Sequence, residues 1–431
     1  MFLAWRRRRH AVCGVQLVRG SDGVGACTDG VGPRDNGIPD CGRNQMSNSL
    51  ASGATVMISR EGLESLLQAL ARRGYEVVGP TVRDEAIVYD RITHVADLPV
   101  GWTDRQEAGR YRLERRSDDA LFGFNVGPHA WKRFLHRSVE TLWTMRRTEN
   151  GAMIERDDNA GPKFAFVGVR SCELHAIAIQ DRVLSKGPYA DAAYAMRRRD
   201  AFIIAVNCGQ AGGTCFCVSM QTGPKAQYGF DLALTELLNG GTHELLVEVG
   251  TETGGDILRQ LSHRPAGEVE RAAAAAIVAR TADQMGRHLE TAGLKELLEN
   301  NLNHPRWDDV ADRCLTCGNC TMVCPTCFCT TVEDHSDLGG MSAERVRKWD
   351  SCFTMDFSFI HGGSIRKTPK ARYRQWMTHK LATWIDQFGT SGCVGCGRCI
   401  TWCPVGIDIT AEAAAIRADP EAQKGRHRGD A

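Results

Sequence analysis

Two stretches in the C-terminal third decide how this 431-residue chain folds. They read Cys314-Leu-Thr-Cys317-Gly-Asn-Cys320-Thr-Met-Val-Cys324-Pro325 and Cys393-Val-Gly-Cys396-Gly-Arg-Cys399-Ile-Thr-Trp-Cys403-Pro404. Both follow the pattern C-x2-C-x2-C-x3-C-P, a spacing typical of [4Fe–4S] ligation. Two copies in one chain, each with its proline, are hard to obtain by chance. The pattern predicts a protein that binds two iron–sulfur clusters and transfers electrons.

The spacing fits the geometry of a cubane cluster. Each iron corner takes one thiolate, and cysteines two residues apart let a tight loop reach three corners. Gly318 and Gly397 follow the second cysteine of each run, where glycine permits a positive φ. In two-cluster ferredoxins the fourth cysteine of a run binds the other cluster. The predicted ligands are Cys314, Cys317, Cys320 and Cys403 for cluster 1 and Cys324, Cys393, Cys396 and Cys399 for cluster 2. Zinc ribbons and disulfides are the alternatives, but this spacing fits zinc poorly.

Four further cysteines follow segments that read as buried strands. Cys172 comes after the segment Lys163–Val169, and Cys208 comes after the apolar run Ala201–Val206. Ligands of α/β proteins gather at the carboxyl ends of parallel strands. The pair Cys215-Phe-Cys217 lies in the glycine-rich loop just beyond. One reading is a third [4Fe–4S] cluster held by Cys172, Cys208, Cys215 and Cys217. The other is that these thiols pack as small hydrophobic groups.

Three cysteines near the first run have no recognisable ligand spacing. Cys327 and Cys329 directly follow that run, and Cys352 lies further along the chain. They could shield a cluster, bind another ligand or contact a partner. Because free cysteines are often buried as small hydrophobes, packing is favoured over ligation.

Composition excludes several other function classes. The 53 Lys and Arg balance 52 Asp and Glu, so no basic field indicates nucleic-acid binding. No apolar run is long enough to span a bilayer. The 18 cysteines cluster in ligand spacings, which suits a reducing cytoplasm rather than a secreted disulfide framework. Dinucleotide-binding, Walker A, G-x-S-x-G and H-E-x-x-H motifs are absent from the sequence. We therefore predict no catalytic residues here, and expect an electron relay in a multi-subunit oxidoreductase.

The pattern along the chain predicts an α+β protein, with an N-terminal α/β domain followed by a mostly α-helical two-cluster ferredoxin-like domain. Expected segments are a disordered extension or mis-assigned start at 1–45, the α/β domain at 46–303, the dicluster domain at 304–418 with a helical insert at 330–390, and a tail at 419–431. Predicted helices begin at the cap Ser59 and cover Leu174–Leu184, Glu268–Asn301 with a break near Gly293, Tyr373–Phe388 and Thr410–Ala418.

Several short segments resemble one known family. They are Arg110-Tyr-Arg-Leu113, Leu121-Phe-Gly-Phe124, Gly127-Pro-His-Ala-Trp131-Lys-Arg-Phe-Leu135, Gly168-Val-Arg-Ser-Cys172, Thr214-Cys-Phe-Cys217, Trp349-Asp-Ser-Cys352 and Arg372-Tyr-Arg-Gln-Trp376. Together with the second cluster run they resemble the beta subunit of soluble group 3 [NiFe] hydrogenases, also called sulfhydrogenase subunit beta. The chain is similar as well to the electron-transfer subunit of anaerobic sulfite reductase. The resemblance covers about Met57 to Ile409.

The resemblance implies a role and a set of partners. The beta subunit is an iron–sulfur electron-transfer protein that works with a flavin- and NAD(P)-binding gamma subunit, with a small iron–sulfur subunit, and with a large nickel-bearing subunit. Such complexes interconvert H2 oxidation and NAD(P)+ reduction, and some members reduce sulfur or polysulfide. Electron transfer to a sirohaem subunit is the alternative that the sulfite reductase likeness implies. A purely structural role for the clusters is a third hypothesis.

Overall fold

A computed structural model describes residues 50–156, 161–239 and 241–419. These residues contain both helices and sheets, so the predicted α+β class is confirmed. The predictions for residues 1–45 and most of the tail at 419–431 lie outside the described residues. Within the described part, no helix is long and apolar enough to cross a bilayer.

The helices and strands of the described residues are as follows. The helices are α1 (Arg60–Arg72), α2 (Lys132–Leu135), α3 (Ser171–Leu184), α4 (Ala192–Arg199), α5 (Glu252–Leu258), α6 (Glu268–Asp283), α7 (Leu294–Asn300), α8 (Arg306–Arg313), α9 (Asn319–Met322), α10 (Pro369–Thr378), α11 (Trp384–Phe388), α12 (Arg398–Thr401) and α13 (Ile409–Ala418). The strands are β1 (Thr55–Ser59), β2 (Tyr75–Arg83), β3 (Ala86–Arg91), β4 (Trp102–Glu107), β5 (Arg110–Arg115), β6 (Val139–Thr148), β7 (Gly151–Arg156), β8 (Lys163–Val169), β9 (Phe202–Val206), β10 (Leu232–Asn239), β11 (Thr242–Val249), β12 (Arg264–Pro265), β13 (Thr330–Ser336), β14 (Ser342–Trp349), β15 (Phe359–Ile360) and β16 (Gly363–Ser364).

An eight-stranded mixed sheet forms the core of the N-terminal part. Its order is β12-β1-β11-β10-β9-β8-β2-β3, and the neighbours β10, β9, β8 and β2 run parallel. Helix α1 is capped as predicted, because the Ser59 hydroxyl accepts the Gly62 amide. Its apolar face packs on the sheet with Leu63, Leu66 and Leu70 fully buried. The parallel strands β8 and β9 are continuous apolar runs covered on both faces, as expected for a parallel sheet.

The carboxyl ends of β8 and β9 meet at one edge of this sheet. Strand β8 ends at Val169 and β9 at Val206, and the two strands pair in parallel. Helix α3 follows β8 at once, and the loop after β9 carries Cys208. The topology therefore brings the segments that carry Cys172 and Cys208 to the same edge.

The predicted helical insert at 330–390 is wrong in its first half. Strands β13 and β14 form an antiparallel hairpin, and β14 pairs with β6 in a four-stranded sheet. Charged cross-strand pairs link the hairpin, with Arg345 2.6 Å from Asp334 and Lys348 2.6 Å from Glu333. Because most of its residues are partly or fully exposed, the hairpin lacks the alternating apolar pattern by which a strand is recognised. The four-stranded sheet also joins β6 and β7 to β13 and β14, which lie on opposite sides of the predicted domain boundary at residue 303.

The remaining helical predictions agree with the structure. Helices α10 and α11, joined by a π-helical stretch at His379–Thr383, cover the predicted segment Tyr373–Phe388. The long region Glu268–Asn301 divides into α6 and α7, and Gly293 has a φ of 61° at the start of α7. Helix α13 covers the predicted segment Thr410–Ala418.

Candidate iron–sulfur site

Two short loops of similar shape carry the cysteine runs. Gly318 has a φ of 76° and Gly397 a φ of 75°, so the positive φ predicted for both glycines is present. Each glycine immediately precedes a four-residue helix, α9 or α12. The third cysteine of each run, Cys320 or Cys399, lies on that helix. The left-handed glycine thus turns the loop back so that its cysteines face one side.

The first run and the end of the second line one common cavity. All four predicted ligands of cluster 1 border it: Cys314, Cys317, Cys320 and Cys403. Aromatic side chains of Phe353, Tyr373 and Trp376 close its sides. The Thr316 amide lies 3.4 Å from the Cys314 sulfur and the Ile407 amide 3.3 Å from the Cys403 sulfur. Backbone amides directed at thiol sulfurs are the donors expected around an iron–sulfur cluster, so these residues fit the group.

Cys324 lies with the three leading cysteines of the second run. Burial raises the pKa of the Cys393 thiol to about 12, with Cys396 and Cys324 among the charges that add to the shift. Burial also raises the pKa of Cys399 well above its usual value, and the nearby charges of Cys393, Cys396 and Cys324 raise it further. As in the first run, a backbone amide donates to a thiol sulfur: the Gly395 amide lies 3.4 Å from the Cys393 sulfur. These interactions place Cys324 near Cys393, Cys396 and Cys399, which is compatible with the crossed assignment, although Cys399 also borders the cavity of the first run.

The four remaining candidate cysteines also converge. Burial raises the pKa of Cys217, and the nearby charges of Cys215, Cys208 and Cys396 raise it further. Burial likewise raises the pKa of Cys172 well above its usual value, with Cys396, Cys217 and Cys208 adding to the effect. Each of these four thiols is therefore within electrostatic range of at least one of the others, and Cys172, Cys215 and Cys217 are also within range of Cys396. The sheet edge and the loop after it bring them there from distant positions in the sequence.

The loop that carries Cys215 and Cys217 packs tightly against the second cluster run. The Phe216 amide donates to the Gly395 carbonyl at 2.8 Å. A Cβ placed on Gly397 would lie only 2.4 Å from the Thr214 carbonyl oxygen. This close approach requires glycine at position 397. Gly397 therefore allows the two loops to pack together as well as shaping its own loop.

A single metal ion has no ready-made site in the described residues, because no group of three or more His, Cys, Asp or Glu side chains there is placed to hold one. The thiolates of a cubane bind different iron corners and therefore stand further apart than the ligands of one ion. The arrangement is compatible with cubane ligation.

A buried ion pair connects helix α3 to the second cluster run. Arg398, which stands between Cys396 and Cys399, donates to the Glu173 carboxylate at 2.5 Å, and both side chains are almost completely buried. Glu173 also accepts from Tyr89 at 2.8 Å and from the Trp131 indole at 3.0 Å. Arg398 donates further to the Gly127 carbonyl at 2.9 Å. The segment Gly127–Trp131 thus holds this arginine in place.

Two buried lysines near the thiols were missed by the sequence analysis. The Lys380 ammonium lies 3.3 Å from the Cys324 sulfur, 3.1 Å from the Thr326 hydroxyl and 3.1 Å from the Gly392 carbonyl. Lys132 donates to the Cys327 carbonyl at 3.0 Å and lies 4.2 Å from the centre of the Trp349 ring. Buried lysines are rare without partners, but neither position follows a ligand spacing that could reveal it.

Comparison with known proteins agrees with this site. The sequence model of the 4Fe-4S dicluster domain matches residues 313–407, which include both cysteine runs. The sulfhydrogenase 2 subunit beta of Pyrococcus furiosus is 33% identical over 280 residues, which are 64% of this chain and 79% of that protein. The chain belongs to the sulfhydrogenase beta subunit family. The family resemblance drawn from the sequence motifs is confirmed, and with it an iron–sulfur subunit of hydrogenase type.

Proposed function

We propose that this sulfhydrogenase beta subunit is a non-catalytic electron-transfer subunit with two [4Fe–4S] clusters. Cluster 1 is held by Cys314, Cys317, Cys320 and Cys403, and cluster 2 by Cys324, Cys393, Cys396 and Cys399. The observation that carries the proposal is the cavity that Cys403 shares with the three leading cysteines of the first run. When bound, the clusters supply one-electron transfer. The chain's own residues orient the sulfurs, donate amide hydrogen bonds to them and keep the surroundings apolar.

A third [4Fe–4S] cluster at Cys172, Cys208, Cys215 and Cys217 is part of the proposal. Its support is the mutual proximity of these thiols at the end of the parallel strands. Burial raises the pKa of Cys208, and it raises the pKa of Cys215 to about 12, as expected for thiols withdrawn from solvent. Proximity to Cys396 would place this cluster next to cluster 2.

The proposed partners follow from the family. They are a flavin- and NAD(P)-binding gamma subunit, a small iron–sulfur subunit, and a large nickel-bearing subunit, together in the cytoplasm. The complex would link H2 and NAD(P), with sulfur or polysulfide as a further electron acceptor. The present sequence has no dinucleotide-binding motif of its own, which agrees with a separate NAD(P)-binding subunit.

Anaerobic affinity purification of the chain from its host tests the proposal. The co-purifying subunits are identified, and nickel, flavin, sirohaem and iron are measured. Nickel together with a flavin subunit supports the hydrogenase role, whereas sirohaem without nickel would assign the chain to sulfite reduction. For the chain expressed alone, about twelve iron atoms support three clusters, and about eight would remove the third.

Single substitutions test the ligand assignment separately. Cys403→Ser should alter the electron paramagnetic resonance signal of the cluster held by the first run, and Cys324→Ser the signal of the other. Cys41→Ser is the control, because Cys41 lies in neither cysteine run, and it should leave both signals unchanged. If each substitution instead perturbed the cluster of its own run, the crossed assignment would be wrong.

A further inference from the structure

The cavity proposed for cluster 1 opens to solvent on one side. Among the residues that line it, Leu315 is 62% exposed and Val405 is 37% exposed, and Cys317 is exposed as well. Pro404, next to Val405, is also exposed. By contrast, the cysteines proposed as ligands of cluster 2 are buried or half-buried. Of these two sites, that of cluster 1 therefore lies nearer to the surface, and its opening is a small apolar patch.

The β4–β5 hairpin stands directly beside this opening. The amide of Gly109, at the turn of the hairpin, donates to the Ile400 carbonyl at 3.0 Å. Tyr111 stacks on Trp402 with the ring centres 5.1 Å apart. A Cβ placed on Gly109 would lie only 3.0 Å from the Cys403 carbonyl oxygen. These contacts fix the hairpin to the segment that carries Cys403, a proposed ligand of cluster 1.

The outer face of the hairpin carries excess positive charge near its turn. Arg105 pairs in register with Arg112, and Arg110 pairs with Glu107 one position nearer the turn on that face. All four side chains are exposed. Like charges directly opposite each other destabilise a sheet. Glu107 lies 3.5 Å from Arg105, whereas the side chains of Arg110 and Arg112 have no hydrogen bond or ion pair within the described part of the chain. Their charge is thus available to a partner.

The other border of the opening is formed by the end of α8, which leads into the first cysteine run. Asp308 lies 2.8 Å from Lys370, and Asp309 lies 3.5 Å from Arg306. Asp312 follows as a further exposed carboxylate. Positive charge beside the opening is therefore concentrated on the hairpin side. The acidic residues of a partner would face the hairpin rather than α8.

We infer that the opening of the cluster 1 site and the outer face of the β4–β5 hairpin form a docking surface for an acidic one-electron carrier protein. The inference rests on the proposed electron-transfer function and names a class of partner for cluster 1. A small apolar centre with a charged rim is the anatomy of a transient electron-transfer interface, which lies at the low end of interface sizes. Complementary rim charges speed the encounter. In the docked pair one electron passes between cluster 1 and the carrier, so one is oxidised as the other is reduced and no covalent bond changes.

Arg112→Glu separates docking from folding. A glutamate at this position would stand opposite Arg105, so the cross-strand pair would change from like to opposite charges and the hairpin should be at least as stable. The same glutamate would repel an acidic partner. Lys186→Glu is the matched control, because it makes the same change of charge at an exposed position just after α3.

Binding of a small acidic [2Fe–2S] ferredoxin tests the inference. The dissociation constant is measured anaerobically by calorimetry with the iron-loaded full chain at two ionic strengths. We expect saturable binding that weakens as salt is added. Arg112→Glu should weaken binding at low salt by about tenfold, because it replaces an attractive rim charge by a repulsive one. Lys186→Glu should leave the dissociation constant unchanged.

Two results of this titration would overturn the docking surface. One is an equal loss of affinity in both variants, which would assign the effect to net charge. The other is binding that does not depend on salt. The rate at which the reduced chain reduces ferredoxin, followed by stopped-flow absorbance, should rank the three proteins in the same order as the binding.

The iron content and the purified complex separate the remaining outcomes. An iron-loaded wild-type chain that bound no ferredoxin would overturn the docking inference alone. A wild-type chain without iron would overturn the electron-transfer proposal, and the docking inference with it. Ferredoxin binding that was lost in the purified complex would assign the surface to a permanent subunit instead. A dimer of the chain that dissociated in Arg112→Glu would assign it to a second copy.

Discussion

At the residue scale, the Glu173–Arg398 pair has the largest predicted energetic effect. We expect Glu173→Gln to destabilise the fold by about 3–5 kcal/mol, because the Arg398 guanidinium would stay buried without a counter-charge. The measurement is the midpoint of urea-induced unfolding under anaerobic conditions. Glu76→Gln is the matched control, since Glu76 pairs with the largely exposed Arg91 and its substitution should change the midpoint little. Equal shifts for both variants would contradict the role of the buried pair.

The Lys380 ammonium should raise the reduction potential of cluster 2. Its positive charge lies 3.3 Å from the Cys324 sulfur and is buried, so it stabilises added negative charge. Lys380→Met should therefore lower that potential by tens of millivolts, where about 59 mV corresponds to a tenfold change for a one-electron couple. A redox titration followed by electron paramagnetic resonance measures the shift.

The control for this titration is Lys370→Met. Lys370 pairs on the surface with Asp308, and its substitution should leave the potential unchanged. A potential that did not move in Lys380→Met would show that the lysine serves only packing. Equal shifts of the reduction potential in Lys380→Met and Lys370→Met would also contradict a specific effect of Lys380.

The cysteines could be proposed as ligands from sequence, but their charged neighbours could not be predicted. Each cysteine run has a local spacing that is complete within a dozen residues. By contrast, Lys380 is 56 positions from Cys324, and Glu173 is 225 positions from Arg398. Those contacts depend on tertiary packing, and a single sequence carries no local sign of them.

At the element scale, the close approach of the second cluster loop to the segment at Thr214 gives a further prediction. Gly397→Ala should lower the iron content of the purified chain, because the new Cβ would lie 2.4 Å from a backbone oxygen at a φ of 75°. Gly389→Ala tests the backbone effect alone, since Gly389 has a φ of 70° and open space around it. We expect that control to retain its iron. Iron loss in both variants would assign the effect to backbone strain rather than to the loop contact.

Elements with a strong periodic pattern were predictable, and those without one were not. Helix α1 has a capping serine and a leucine face, and β9 is a continuous apolar run. The β13–β14 hairpin has neither signal, since it is largely polar and is positioned by pairing with β6. That pairing joins positions as far apart as Val139 and Lys348, and only the folded chain reveals it.

At the scale of the whole molecule, contacts between distant segments hold the sheets and the cluster loops together. All described residues belong to one compact unit. The four-stranded sheet joins β6 and β7 to β13 and β14, and Arg398 contacts residues near Trp131. The cluster loops therefore depend on residues far earlier in the chain, even though the dicluster sequence match spans only residues 313–407.

This dependence predicts how two fragments behave. Residues 304–431 expressed alone should bind less iron and give a weaker circular dichroism signal per residue, because Arg398 and β14 lose their partners. The fragment 48–431 keeps every contact described here and should retain the iron content and unfolding midpoint of the full chain. Iron analysis and chemical unfolding of both fragments, prepared in the same way, provide the comparison. Full iron loading of the shorter fragment would show that the cluster loops fold independently, and that the buried arginine pair joins two separable domains.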